Sequence, residues 1–412
     1  MVKSNAPGPD IAPALAPSLT WRLERFARLL RFATASRMSD GFGWLTESGQ
    51  VRPVPTTTLL TARYTHVFSV GDLAGIGDYG ALAEHGVARL SSGPLRDSVG
   101  WQWDASSEAT AKQSYLLAQV ILAASSASIA GIPGAGELLD DALGILDESA
   151  WDDPEGVVRD TYGFPGTAPD YRGANSNMHA AEGLLAAADA LGSEDRADQA
   201  RRIIDRFVGR IAAAHDWLMP EHFDSSWRVL KDFGRNHRSD EFKPYGVTPG
   251  HLFEWARICL NARPGAEPAT ADALHDWARN LARRGHEVGW RAAGDSGVVY
   301  TTTFTGRPVV TRRLHWPLTE AIAATAHLAE LQPGEVWDWR LGLYWEDARR
   351  DYVEEAGTWA HERGPHPERM TMGRPDAYHV AGAYLSGAAD PHRCLAGAAR
   401  TFAARANGVE DA

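Results

Sequence analysis

The sequence predicts an all-α protein, a single closed (α/α)6 barrel whose long loops and short strands gather on the face that would carry an active site. Three observations lead there. From Thr20 onward, apolar residues recur at three- and four-residue spacing through most of the chain, the period of one buried helix face. Between these stretches the connections alternate, a few residues and then a long irregular segment rich in Gly, Pro, Asp and aromatic side chains. Polar, titratable residues recur near the starts of even-numbered helices.

Taken in chain order, the periodic stretches run over 20–32, 58–73, 78–90, 107–130, 136–149, 175–191, 193–214, 248–260, 270–284, 316–331, 334–355 and 375–385. The seventh opens on Ser193 with Glu194 and Asp195 in its first turn, where acidic groups meet unpaired amide hydrogens. The eighth opens on Thr248-Pro249 and the tenth on Trp316-Pro317, placing proline where a helix has no use for an N–H. Short turns follow helices two, four, six, eight and ten, whereas long segments such as 151–173, 215–247 and 286–315 follow odd-numbered ones. If successive helices run antiparallel, every short turn lies at one end of the assembly and every long loop at the other. Six such pairs close a barrel, and all even helices then start beneath a common roof of loops, where function is usually built. The Thr-rich and aromatic alternation around 42–45 and 298–304 predicts short strands in that roof. The barrel is expected to occupy 19–403, with a disordered tail over 1–18 and a flexible one over 404–412.

Composition narrows the function classes. Among 412 residues, 41 Lys+Arg against 53 Asp+Glu leave a net charge of −12, which argues against nucleic acid or an anionic membrane as the main partner. No apolar run approaches a membrane span, and residues 1–18 carry one Lys and four prolines where a signal peptide needs an apolar segment, so a cytoplasmic location is expected. Cys259 and Cys394 each sit in an apolar helical pattern and read as buried thiols rather than a disulfide or a zinc site. The outward faces of the odd helices leave a homo-oligomer open.

The candidate residues lie where the roof meets the barrel. Arg63 and His66 are three apart in the second helix, as are His179 and Glu182 in the sixth and His251 and Glu254 in the eighth. Trp316 and Glu320 are four apart in the tenth, and the twelfth opens Pro375-Asp376-Ala377-Tyr378-His379. Residues at these spacings share a helix face. Each alone reads as a solvated or hydrogen-bonded group in place; together they point to one central polar cavity.

Two chemistries fit such a cavity. His and Glu from two helices could form a dinuclear metal site, but the familiar bundle order is Glu-x-x-His, and the fixed charge of Arg63 opposes a cation. Metal-free proton transfer needs imidazoles as acid and base, with carboxylates fixing their tautomers. Trp316, with Trp44, Trp101, Trp103, Trp227 and Trp359 in the roof, offers flat faces for a sugar, though tryptophan is also ordinary core material. No Gly-x-Ser-x-Gly elbow supports a serine hydrolase. A glycoside hydrolase using two of Glu182, Glu254, Glu320 and Asp224 stays open, as does a non-catalytic binding role.

The strings Thr61-Ala62-Arg63-Tyr64-Thr65-His66, Tyr171-Arg172-Gly173-Ala174-Asn175-Ser176-Asn177-Met178-His179, Glu221-His222-Phe223-Asp224, Pro244-Tyr245-Gly246-Val247-Thr248-Pro249-Gly250-His251 and Asp376-Ala377-Tyr378-His379 resemble the N-acylglucosamine 2-epimerase superfamily, in particular its aldose–ketose isomerase branch. The resemblance implies an (α/α)6 barrel, no metal or organic cofactor, and isomerisation at C1 and C2 of a free monosaccharide through a cis-enediol. It makes mannose and fructose the expected pair, with sulfoquinovose isomerisation or sugar 2-epimerisation as alternatives. By motif position His379 resembles the general base and His251 the second acid/base, with Glu254 as its helix neighbour. Arg63, Asn175, His179, His222, Trp316 and Glu320 are the expected sugar contacts. The chain departs from the family pattern over 363–374, which bears on specificity.

Overall fold

The computed structural model describes residues 15–163, 170–363 and 373–406. Its helices are α1 (Leu19–Ala33), α2 (Thr58–Leu73), α3 (Gly80–Ser91), α4 (Ser114–Ile129), α5 (Ala135–Ile145), α6 (Ala174–Leu191), α7 (Glu194–Ile204), α8 (Pro249–Asn261), α9 (Pro268–Gly289), α10 (His315–Leu331), α11 (Glu335–Asp351), α12 (Tyr378–Leu385) and α13 (Leu395–Ala406). Single π-helical stretches, Leu146–Ala150 and Asp205–Ala212, prolong α5 and α7.

The even helices are the inner ring. Each packs on the next, α2 on α4 and so on through α12, which returns to α2 and closes the circle, while the odd helices lie outside their partners. Burial follows from sequence: α2, α4 and α10 are apolar or small nearly all round and almost wholly buried, as a helix covered on every side must be. By contrast α7, with Glu194, Asp195, Arg201 and Arg202, keeps a charged outer face. The (α/α)6 expectation therefore holds.

Beyond small shifts at helix ends, two starts and one additional helix differ from the sequence reading. The fourth helix begins at Ser114 rather than near 107, because Lys112 and Gln113 pair with Tyr162 and Thr161 as a short strand and the Ser114 amide donates to Asp160. The twelfth begins at Tyr378 rather than 375, since the Asp376 carboxylate accepts the Tyr378 amide hydrogen and so caps it. A thirteenth helix, α13, was not expected: its Ala-rich sequence has few large apolar side chains to mark a period. It packs across α2, α4, α6 and α12. Leu395 and Ala398 help close a chamber of about 40 Å³ also bounded by Asn261 of α8 and His327 of α10, at the barrel end away from the roof.

The roof is stitched by short antiparallel pairs, among them Gly41–Phe42 with Arg37–Met38, and Thr301–Thr302 with Pro308–Val310, close to where strands were expected. Tyr171–Gly173 pairs with His222–Asp224, tying the approach to α6 to the loop that precedes α8. The expected tails fall mostly outside the described residues, as does most of the 363–374 segment. Among the described residues no helix is long and apolar enough to cross a membrane.

Candidate active site

A cavity of about 370 Å³ opens among the starts of the inner helices. Among its lining residues an indole neighbours two imidazoles. Trp316, at the start of α10, lies 5.1 Å from the His251 ring and 5.7 Å from the His379 ring, centroid to centroid, tilted 34° and 33°. Gly250 makes this possible, because a Cβ there would lie 2.4 Å from Trp316 Cζ3. Each imidazole has its own carboxylate. His251 Nδ1 is 2.9 Å from Glu221 Oε1, and His379 Nδ1 is 2.8 Å from Glu320 Oε1. A carboxylate accepts only from an N–H, so both rings carry hydrogen on Nδ1 and keep Nε2 for chemistry.

Arg63 of α2 also lines the cavity and is fixed on three edges. It donates from Nη1 to Asp376 Oδ2 at 2.7 Å and from Nε to Gln119 at 3.3 Å, and its Nη2 lies 3.0 Å from the Tyr115 hydroxyl. Burial would raise the Asp376 carboxyl, but the Arg63 charge holds it at about 2. Next to it, burial depresses His179 to about 4, leaving a neutral ring at physiological pH.

Deeper in the barrel Arg257 of α8 gathers carboxylates from two other helices. It reaches Glu182 Oε1 at 2.9 Å through Nη1 and Glu320 Oε2 at 3.0 Å through Nε. Burial alone would raise Glu182, yet Arg257, His179 and the Tyr378 hydroxyl hold it well below the usual carboxylate range. Two groups in this region have ligand atoms close enough for a metal ion: His179, Glu182 and Glu254, and Glu254, Glu320 and His379. They do not suit one, because the Arg257 guanidinium already supplies the positive charge between Glu182 and Glu320 and would repel a second cation.

Near the mouth, Trp44, Trp103 and Phe242 give the wall flat apolar faces, with Trp103 and Phe242 edge to face at 5.2 Å. Trp101 and Trp359 belong to the core, their indole N–H groups bonded to Leu90 O and the Tyr384 hydroxyl. Trp227 packs on Phe207 and Phe223.

The sequence profile of the N-acylglucosamine 2-epimerase (GlcNAc 2-epimerase) family matches residues 41–383. The chain belongs to this family. Within it, the chain is 39% identical over 378 residues to a D-mannose isomerase of Pseudomonas cannabina pv. alisalensis, covering 89% of this chain and 91% of that one. It is also 39% identical over 385 residues to a D-mannose isomerase of Thermobifida fusca, covering 89% and 93%. A crystal structure of D-mannose isomerase superposes with a TM-score of 0.82 at 23% identity, over 89% of this chain and 97% of that one, which establishes the shared fold.

Most expected site residues of this epimerase-family barrel meet at the cavity: Arg63, Asn175, His179, His251, Trp316 and His379 line it, with Glu254. Two expected contacts stand behind the wall. Glu320 does not line the cavity but is bonded to His379, which does, and His222 has both nitrogens engaged, Nδ1 2.8 Å from the Tyr171 hydroxyl and Nε2 2.7 Å from Pro244 O. The expected His251–Glu254 pairing is replaced by His251–Glu221. One helical turn aligns two side chains on a face without making them touch, and a carboxylate from the roof reaches Nδ1 first. Sequence reasoning also missed Arg257, although an arginine three residues after Glu254 on an apolar helix was the available signal.

Proposed function

We propose that this chain is an aldose–ketose isomerase that interconverts D-mannose and D-fructose by proton transfer, with no metal in the reaction. The observation that carries the reading is the pair of imidazoles beside Trp316, each tied at Nδ1 to its own carboxylate, which leaves Nε2 as the nitrogen for substrate. The 39% identity to two D-mannose isomerases supports the choice of sugar.

The chemistry proceeds in balanced steps. Ring opening moves the O1 proton to a base as the C1–O5 bond breaks and O5 gains a proton, which we assign to His251. His379 Nε2 then takes the C2 proton, the electron pair forms the C1–C2 double bond, and O1 is protonated to give the cis-enediol. Loss of the O2 proton and return of the first proton to C1 leave the ketose. Arg63 and His179 steady the oxygens on which charge develops. His251 lines the same cavity as His379; a proton returned to C2 from it, on the face opposite the one deprotonated, would give the 2-epimer, glucose.

We read the wall as suited to a neutral C6 substituent, although Arg52 lines it as well as Glu241. Glu241 lines the cavity, Lys243 is engaged with Asp160 at 3.2 Å and lies over the Tyr171 ring, and Arg374 is bonded to Glu354 at 2.6 Å. Arg369, a further candidate cation, lies outside the described residues. Incubation with mannose, fructose, sulfoquinovose and cellobiose, followed by chromatography of products, tests the proposal. It requires fructose from mannose, with kcat/KM above that for sulfoquinovose. A tenfold preference for the sulfonated sugar, about 1.4 kcal/mol of transition-state discrimination, overturns the assignment of substrate.

A further inference from the structure

Three carboxyl groups share one arginine inside the barrel, and the sharing is unequal. Glu182 accepts from Arg257 Nη1 at 2.9 Å and from the Tyr378 hydroxyl, with His179 Nδ1 3.4 Å away. Glu320 accepts from Arg257 Nε at 3.0 Å and from His379 Nδ1 at 2.8 Å. Among the described residues none donates a hydrogen bond to Glu254 Oε1. The nearest cationic or N–H groups, His179 Nδ1 and Arg257 Nη2, stand 3.8 and 3.9 Å off, beyond hydrogen-bond reach. The side chain is only 1% exposed and lies on the cavity wall.

A buried carboxylate without donors is far costlier than the neutral acid. The groups around Glu254 confirm the direction. Glu182 and His179 face it from α6, Glu320 from α10, Tyr378 and His379 from α12, and Arg63 from α2, but the Arg63 charge is already matched by Asp376. Burial and the Glu320 charge both raise the Glu254 carboxyl, and together they outweigh the opposing pull of Arg257 and Arg63.

We infer that Glu254 is a carboxylic acid at neutral pH and donates its O–H, as a hydrogen bond without transferring the proton, to a sugar oxygen on which negative charge builds during enolisation. A neutral acid aimed at a developing oxyanion in a dry site stabilises it without placing a second negative charge beside it. The inference rests on the isomerase reading above, and it gives Glu254 a role separate from His251. An ionised Glu254, acting as a base or a counter-ion, would need the opposite charge state.

The two states respond differently to amide replacement. Glutamine keeps the shape and a donor but cannot ionise, whereas leucine removes the donor. Glu254→Gln is expected to retain at least tenfold more kcat/KM for mannose than Glu254→Leu, which should fall by about 10²–10³-fold, the usual loss for one oxyanion donor. Glu320→Gln, where the charge itself is used, should fare no better than Glu320→Leu. Infrared difference spectroscopy of unliganded wild type against Glu254→Gln at pH 7 should show a protonated-carboxyl C=O band that the variant lacks. Equal losses in Glu254→Gln and Glu254→Leu, or a carboxylate band in place of the acid band, overturn the inference. The infrared arm needs no substrate, so it judges Glu254 even if the wild-type protein failed to isomerise mannose, which would count against the isomerase reading alone.

Discussion

Replacing Gly250 by alanine tests whether Trp316 must sit where it does. A methyl group at this position would lie 2.4 Å from Cζ3 and 2.7 Å from Cη2 of Trp316, and 3.0 Å from Cβ of Pro317. Carbon atoms in contact need about 3.5 Å, so the indole must retreat by about 1 Å. It has nowhere neutral to go, because the His251 and His379 rings lie 5.1 and 5.7 Å from it. A shift of about 1 Å in a positioned group can cost about 10²-fold in rate, and overpacking costs about 1–3 kcal/mol in stability. Helix propensity alone predicts the reverse, a gain of up to about 1 kcal/mol for alanine over glycine. The assay is kcat/KM for mannose, followed by ketose formation, beside the calorimetric Tm of the same preparation. Gly144→Ala is the control: a Cβ there meets nothing within 4 Å, so it should stabilise by about 0.4–1 kcal/mol with activity unchanged. If Gly250→Ala also gained stability and kept near-normal activity, the wedged indole would not be what aligns the two imidazoles.

Three further outcomes are expected. His379→Asn should lose exchange of the C2 proton with deuterated solvent by about 10²–10⁴-fold while sugar still binds; near-normal isomerisation would place the base elsewhere. Activity should survive exhaustive chelation, because Arg257 occupies the carboxylate cluster that a cation would need; loss on chelation with recovery on adding a divalent ion would refute this. Burial depresses His66 and His179 to about 4 from the free value of 6.5, so the unfolded chain binds these protons more tightly. Each therefore contributes nothing adverse above about 6.5 and costs stability as the pH falls toward 4, by up to roughly 3 kcal/mol. Urea midpoints should drop between pH 7 and pH 5, and a flat profile would contradict neutral burial.

How much of this was legible in the sequence depended on range. The alternation of short and long connections is a local property, and it located the roof and the inner helices before any contact was known. The histidines were found because helix spacing places them on shared faces. Their carboxylates were harder to find. His251 takes its partner from Glu221, thirty residues away, and His379 from Glu320, fifty-nine away. Neither pairing has a periodic signature, so the i, i+3 neighbour Glu254 stood in for Glu221. Asp376 was visible only as part of a motif; its double duty, capping α12 and holding Arg63, needs the ring of helices to be closed. The start of α4 was missed for a related reason, since Lys112 and Gln113 look helical until residues some fifty positions later pair with them.

The helix that sequence did not foretell, α13, turns the barrel into a cul-de-sac. With its far end stoppered by Leu395 and Ala398 over the inner helices, a sugar that enters on the roof side must back out the way it came. Aldose and ketose then queue at the same doorway, each an obstacle to the other. Because both sugars use that one cavity, each is expected to inhibit the other's conversion competitively.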